Sequence, residues 1–213
     1  MSPLATFIAE QVASGVRRIG QIEIRSDNGA APYRLCHADD VDATGLETCE
    51  GPARARELST WGEDGEYRFA KACTNLRRGW LMILADAEEL RAAIDGFYPA
   101  ALGLWRAESQ GQSTVQNLRD KLDRQTGMYK FARNVSDDGA QRLVREICGP
   151  AHQCAKRILW QLDEQTPLED SEASRYRGIP GDIPTQEAIP LLCREACNHF
   201  VAECRKVSKQ EHG

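Results

Sequence analysis

The chain has 213 residues, of which 41% are hydrophobic and 28% charged, and its formal net charge is −5. This composition is typical of a globular protein, and without a concentrated basic excess it argues against nucleic-acid binding. No stretch approaches the roughly 20 apolar residues of a membrane span, and the N-terminus lacks the basic start of a signal peptide. We therefore expect a cytoplasmic protein, in which the eight cysteines bind metal more readily than they form disulfides.

The first half of the sequence predicts a small α+β domain over residues 1–108. Alternating or continuous apolar patterns predict strands, in chain order at 21–25, 33–37, 67–69 and 79–84. A turn at 26–29 joins the first two of these strands. Helical spacing of apolar residues predicts a first helix at 4–17, and a short helix is predicted within 50–60. Good helix formers predict a third helix, which begins at an N-cap at Asp86 and breaks at Gly96 and Pro99. A further helical piece then runs to Trp105.

The second half predicts a mainly helical domain over residues 113–213, after a polar linker. One helix carries Val115 to Phe131, with an interruption at Gly127, and a second begins after Ser136 and ends at Cys148. Residues 163–188 are acidic and rich in proline and glycine, so they predict a long connection with little regular structure. Pro190 suits the first turn of a final helix that continues past Val207.

Four cysteines of the second half fall into two close pairs. Cys148 and Cys154 bracket five residues, and Cys193 and Cys197 are four apart, which would place both on one face of the predicted final helix. Two local pairs from distant segments are typical of a four-thiolate metal centre. The wide, unequal spacing favours an iron–sulfur cluster, but structural zinc and unmetallated thiols remain alternatives at this point.

The other candidates near these pairs have simpler interpretations. His152 and His199 could ligate a metal or bind a sulfur, but the sequence favours an exposed position for each. Lys156, Arg157 and Arg194 could offset thiolate charge or belong to a solvated face, and Trp160 is predicted to lie in the hydrophobic core. Cys36, Cys49 and Cys73 are predicted to be small buried hydrophobes. Cys204 lies on the same predicted helix face as Cys197 but about 10.5 Å further along the axis, too far to join the same centre.

Several of these residues together resemble a known family. The strings in the second half are Arg124-Gln125-Thr126-Gly127-Met128-Tyr129, the two cysteine pairs, Leu159-Trp160, and Pro190 and Asn198 around the second pair. They are similar to the C-terminal iron–sulfur region of CbiX-type sirohydrochlorin cobaltochelatase-like proteins. The first half resembles the stabilising domain before that region, through Leu35, His37, Asp39-Asp40, Gly79-Trp80 and Phe97-Tyr98-Pro99.

The resemblance implies that Cys148, Cys154, Cys193 and Cys197 bind one [4Fe-4S] cluster. The chelatase domain and its metal-inserting histidines have no counterpart in the sequence, so chelatase activity is not implied. The leading hypothesis is therefore an iron–sulfur protein for electron transfer or redox sensing, with an unidentified redox partner and a link to tetrapyrrole metabolism. The alternatives are a tetrapyrrole-binding enzyme or chaperone with a structural cluster, and a zinc-stapled interaction module, which leaves enzymatic activity open.

Overall fold

A computed structural model describes residues 1–26, 32–60, 76–148, 154, 156–166 and 187–212. The strands are, in chain order, β1 Arg18–Ile19, β2 Ile22–Ser26, β3 Tyr33–His37, β4 Glu47–Glu50, β5 Trp80–Leu84, β6 Arg157–Ile158, β7 Ala188–Ile189 and β8 Leu192–Cys193. The α-helices are α1 Pro3–Ala13, α2 Ala55–Thr60, α3 Ala87–Phe97, α4 Ala101–Ser109, α5 Leu118–Asp123, α6 Asp137–Leu143 and α7 Asn198–His212. The predicted α+β class is confirmed.

Contacts between residues divide the chain into two compact units. The first comprises residues 1–112 and 178–191, and the second comprises residues 113–177 and 192–213. The second unit therefore consists of two segments, which are separated by a piece of chain that belongs to the first. None of the described helices is long and apolar enough to cross a lipid bilayer.

The first unit is built on a six-stranded mixed sheet with the order β4-β5-β3-β2-β1-β7. The predicted hairpin is confirmed as β2 and β3, which pair antiparallel with Ile24 opposite Leu35. Because side chains alternate across a strand, Trp80, Met82 and Leu84 of β5 share one face, and all three are fully buried. Trp80 stacks on Phe97 of α3, with ring centroids 4.9 Å apart, so this face packs against helix α3.

The N-cap predicted at Asp86 is confirmed. Its carboxylate accepts hydrogen bonds from the backbone N–H groups of Glu88 at 2.8 Å and Glu89 at 3.0 Å. The break predicted at Gly96 and Pro99 is confirmed, because α3 ends at Phe97 and α4 begins at Ala101. A Cβ at Gly96 would lie 2.7 Å from the Cβ of Ala55, so this glycine permits close packing of α2 on α3.

The second unit contains α5, α6, α7 and the two-stranded sheet of β6 and β8. The interruption predicted at Gly127 is confirmed, because α5 ends at Asp123 and a separate 3₁₀ helix, Gly127–Asn134, begins at a glycine with φ of +58°. Ser136 caps α6 as predicted, since its side chain accepts a hydrogen bond from the N–H of Gly139 at 3.0 Å. A π-helical turn, Val144–Cys148, extends α6.

The prediction of a final helix from Pro190 is wrong. Residues 188–193 form the short strands β7 and β8, and helix α7 begins only at Asn198. Pairing decides the conformation, since β8 lies parallel to β6 and the Cys193 carbonyl accepts a hydrogen bond from Leu159 N–H at 2.9 Å. The turn predicted at 26–29 after its first residue, the strand predicted at 67–69 and most of the connection predicted at 163–188 lie outside the described residues.

Candidate metal centre

Cys148 is delivered to the core of the second unit by the end of a helix. It is the last residue of the π-helical turn that extends α6, and its side chain is 7% exposed. It belongs to a cluster of buried residues that includes Leu143, Trp160 and Phe200. Single π-helical turns occur frequently at functional sites, because the extra residue re-aims the side chains that follow.

Cys193 is positioned by a strand instead of the predicted helix. In β8 it lies opposite Ile158 of β6, which places it beside the segment that follows Cys154. Its half-buried side chain packs against the same buried cluster that contains Cys148. As a thiol, Cys193 donates a hydrogen bond to the carbonyl of Glu195 at 3.2 Å.

Cys197 occupies the N-cap position of α7. Its sulfur accepts a hydrogen bond from the backbone N–H of Phe200 at 3.5 Å, and its carbonyl accepts one from Val201 N–H at 3.1 Å. The start of α7 therefore directs a backbone N–H group at the Cys197 sulfur, and this arrangement does not require a second cysteine on the helix face.

Three of the four predicted ligands, Cys154, Cys193 and Cys197, lie close enough together for their charges to interact. Burial raises the pKa of the Cys193 thiol to about 11, the indole N–H of Trp160 and the ammonium of Lys156 oppose this shift, and the thiols of Cys154 and Cys197 add to it. Cys154 is half-buried. Among the described residues, no group of three or more His, Cys, Asp or Glu side chains has the arrangement of a metal-ion site.

Trp160 provides the observation that tests whether the residues fit a cluster. Its indole nitrogen is buried and makes no hydrogen bond of normal geometry with any described residue. The same N–H lies beside the Cys193 sulfur, where it favours the thiolate. A buried donor without an acceptor is costly, and a metal-bound thiolate would supply a strong acceptor. The donor set therefore fits a thiolate-bound cluster.

The remaining candidates from the sequence do not converge on this position. His199 is exposed, and Arg194, also exposed, donates to the Thr114 hydroxyl at 3.1 Å. His152 and Cys73 lie outside the described residues. Cys36 and Cys49 are each 4% exposed, as the sequence predicts, and Cys204 is completely buried. Burial raises the pKa of Cys36 to about 11 and that of Cys204 to about 12.

Two N–H groups at the sulfurs were not predicted from the sequence: the indole N–H of Trp160, which lies beside Cys193, and the backbone N–H of Phe200, which donates to Cys197. Trp160 was predicted as core, which is correct, since it is 4% exposed and its ring lies edge-on to Phe200 with centroids 5.3 Å apart. That its indole N–H lies near an acceptor could have been inferred, because a buried indole N–H normally forms a hydrogen bond. The backbone donor of Phe200 follows only from the start of α7 at Asn198.

The fold and this thiol-rich site define a two-domain iron–sulfur protein. Residues 7–109 match the family model of the DR2241 stabilising domain, and residues 110–206 match that of the 4Fe-4S iron–sulfur cluster binding domain. Together the two models match residues 7–206, which confirms the resemblance found in the sequence. Its cofactor is a [4Fe-4S] cluster.

One solved structure shows the same fold over nearly the whole chain. It is the 1.9 Å crystal structure of DR2241 from Deinococcus radiodurans, described as a multi-domain protein with structural similarity to chelatases and two additional novel domains. The TM-score is 0.73 at 22% sequence identity, and the match covers 97% of this chain and 41% of that chain. The present chain therefore spans less than half the length of that relative. None of the curated protein sequences compared with the chain matches it.

Proposed function

We propose that Cys148, Cys154, Cys193 and Cys197 bind the [4Fe-4S] cluster, and that the protein uses this cluster to transfer or sense electrons. The observation that carries the proposal is the pair of N–H donors at two of the sulfurs. The Trp160 indole lies beside Cys193, and the backbone of Phe200 donates to Cys197 at 3.5 Å.

Such donors favour a redox role over a purely structural one. Hydrogen bonds to the sulfurs, burial and nearby positive charge are the means by which a protein sets the potential of an iron–sulfur cluster. Here all three occur together, because Cys148 is buried and the ammonium of Lys156 acts on the Cys193 sulfur. The N–H donors and the positive charge stabilise the more negative, reduced cluster, whereas burial disfavours it. Because two N–H donors and an ammonium act together, we expect them to outweigh burial and to place the potential toward the upper part of the range for thiolate-bound [4Fe-4S] clusters.

Anaerobic purification of single Cys→Ser variants tests the ligand assignment. The wild type should contain about four iron and four sulfide per chain and give an EPR signal after reduction by dithionite. Each substitution at the four positions should lower the iron content and change the signal. Cys204→Ala is the matched control, because Cys204 is buried in the same unit and should leave both unchanged.

Three results would contradict different parts of this proposal. Full iron content in any one of the four variants would remove that cysteine from the ligand set. A fully loaded cluster that no reductant or oxidant converts would refute electron transfer and sensing, and leave a structural cluster. About one zinc per chain in place of iron would support the zinc-stapled interaction module.

A tetrapyrrole ligand is the second proposal. It is supported by the likeness to a protein described as similar to chelatases and by the sequence resemblance to cobaltochelatase-like proteins. The cluster-loaded protein would be titrated with sirohydrochlorin or a porphyrin, and a saturable change in the tetrapyrrole absorbance is the expected result. An unchanged spectrum would contradict tetrapyrrole binding and leave the redox proposal intact.

A further inference from the structure

An exposed apolar and basic surface lies on the second unit. The 3₁₀ helix Gly127–Asn134 exposes Met128 by 57%, Tyr129 by 41% and Phe131 by 44%. Only Ala132 of this helix is buried. We call this surface the 3₁₀ patch, and it comprises Arg124, Met128, Tyr129, Lys130, Phe131 and Arg133.

The charge of the 3₁₀ patch is positive and uncompensated. Residues 124–134 contain three basic residues and no acidic residue. Within the described part of the chain, Arg124, Lys130 and Arg133 take part in no ion pair, whereas neighbouring cations do, such as Lys121 with Glu195 at 2.6 Å. An exposed apolar surface with unpaired positive charge is complementary to an acidic protein surface with an apolar centre.

The faces of the two aromatic rings argue for a protein partner over a nucleic acid. The guanidinium of Arg205 lies 5.8 Å from the centroid of the Tyr129 ring, and the ammonium of Lys130 lies 5.3 Å from that of Phe131. Recognition of single-stranded nucleic acid depends on open aromatic faces on which bases stack. Here a cation already lies over one face of each ring, so at most one face is open to a stacked base, and the exposed Met128 side chain adds apolar surface of the kind that favours a protein contact.

The 3₁₀ patch lies near the proposed cluster ligand at the start of α7. The 3₁₀ helix packs along α7, and Arg205, which contacts Tyr129, follows Cys197 by eight residues. At 1.5 Å per residue the two positions are about 12 Å apart along the helix axis. A protein docked on the 3₁₀ patch would therefore be brought close to the cluster ligand at the start of α7.

We propose that the 3₁₀ patch is the docking surface for a small acidic electron-carrier protein. This inference rests on the proposed redox function, since it supplies the partner with which the cluster exchanges electrons. One electron passes between the carrier and the cluster, so that one is oxidised as the other is reduced. The basic side chains steer the encounter, and Met128 and Phe131 provide the apolar contact.

Stopped-flow kinetics with an acidic plant-type [2Fe-2S] ferredoxin, whose potential is about −400 mV, tests the inference. The full chain with its cluster would be used, and transfer would be followed in the direction fixed by the measured potentials. At low ionic strength, Lys130→Glu should lower the second-order rate constant about tenfold, and at about 0.5 M salt the difference should largely vanish. Phe131→Ala should weaken the complex about fivefold or more at either salt concentration.

The matched control is Arg56→Glu, which makes the same charge change at an exposed arginine of the first unit and should alter the rate less than twofold. Reduction by dithionite, which needs no docking, should be equal in all variants.

If dithionite fails to reduce the wild-type cluster, the redox function itself is refuted. If dithionite reduces every variant but Lys130→Glu and Arg56→Glu behave alike with the ferredoxin, the docking surface is refuted. Salt-dependent binding of an oligo-dT that Lys130→Glu abolishes, with unchanged ferredoxin kinetics, would assign the 3₁₀ patch to nucleic acid instead.

Discussion

Replacing Trp160 by phenylalanine should lower the reduction potential of the cluster. The substitution retains an aromatic ring against Phe200 but removes the indole N–H beside the Cys193 sulfur. Because the sulfur is a stronger acceptor when the cluster carries an additional electron, the lost hydrogen bond destabilises the reduced form more than the oxidised form. A difference of about 1 kcal/mol, modest for a hydrogen bond to a charged acceptor, corresponds to about 40 mV for a one-electron couple.

The potential would be measured by a redox titration followed by EPR. Trp80→Phe is the control, because it also removes a buried indole N–H, which there donates to the Arg77 carbonyl at 2.5 Å. Both variants should lose stability by less than the about 3–5 kcal/mol that truncation of a core aromatic to alanine costs, but only Trp160→Phe should shift the potential. Equal shifts in both variants, or an unchanged potential in Trp160→Phe, would refute the assigned hydrogen bond.

Three further predictions concern stability and thiol chemistry. Asp86→Ala should lower the free energy of unfolding by about 1 kcal/mol in a denaturant titration, whereas Asp86→Asn should retain most of it, and equal losses in both would contradict the capping role. Hydrogen bonds from Ser136 hold the pKa of Glu211 below its usual range, so their contribution is present above the ordinary Glu pKa of about 4.3 and is lost as pH falls through the lowered value. The melting temperature of the wild type should therefore fall more between about pH 6 and pH 3 than that of Glu211→Gln, and parallel curves would contradict this. Since burial raises the pKa of Cys204 to about 12, iodoacetamide at pH 8 should label it only after unfolding, as mass spectrometry would show, and labelling of the native protein would refute its burial.

Elements with strong local signals were predictable from the sequence. Helix α3 has its cap at Asp86 and good helix formers after it, and β5 is a continuous apolar run, so neither depends on distant residues for its identification. The hairpin of β2 and β3 follows from alternation alone. In these segments the local preference and the tertiary contacts agree, which is why the periodic pattern suffices.

The segment around Pro190 was not predictable in this way. A proline followed by Arg194, Glu195 and Ala196 has the local pattern of a helix start. In the structure, Leu191 and Leu192 are both buried, and β8 pairs with β6, a segment distant in the sequence. Long-range pairing therefore overrides the helical preference. The prediction placed Cys193 and Cys197 on one helix face, whereas a strand and a helix N-cap hold them.

The candidate site was predictable in its residue types but not in its surroundings. The four cysteines stand out by their spacing, and the resemblance to an iron–sulfur family adds the cofactor. The donors at the sulfurs depend on where β8 ends and α7 begins, and no local pattern fixes those boundaries. The charge and exposure of the 3₁₀ patch likewise became visible only once the cations over Tyr129 and Phe131 were located.

The passage of the chain from β7 to β8 has a consequence for any attempt to separate its two halves. β7 pairs with β1 at the edge of the first sheet, and β8 pairs with β6 only three residues later. A cut near residue 112 would therefore strip β7 from the N-terminal fragment and expose the backbone of β1 to intermolecular pairing. The C-terminal fragment would carry β7 without its pairing partner β1, a few residues before Cys193. Because each unit is assembled from two separate segments of the chain, genetic shuffling would have to move the whole chain as one piece.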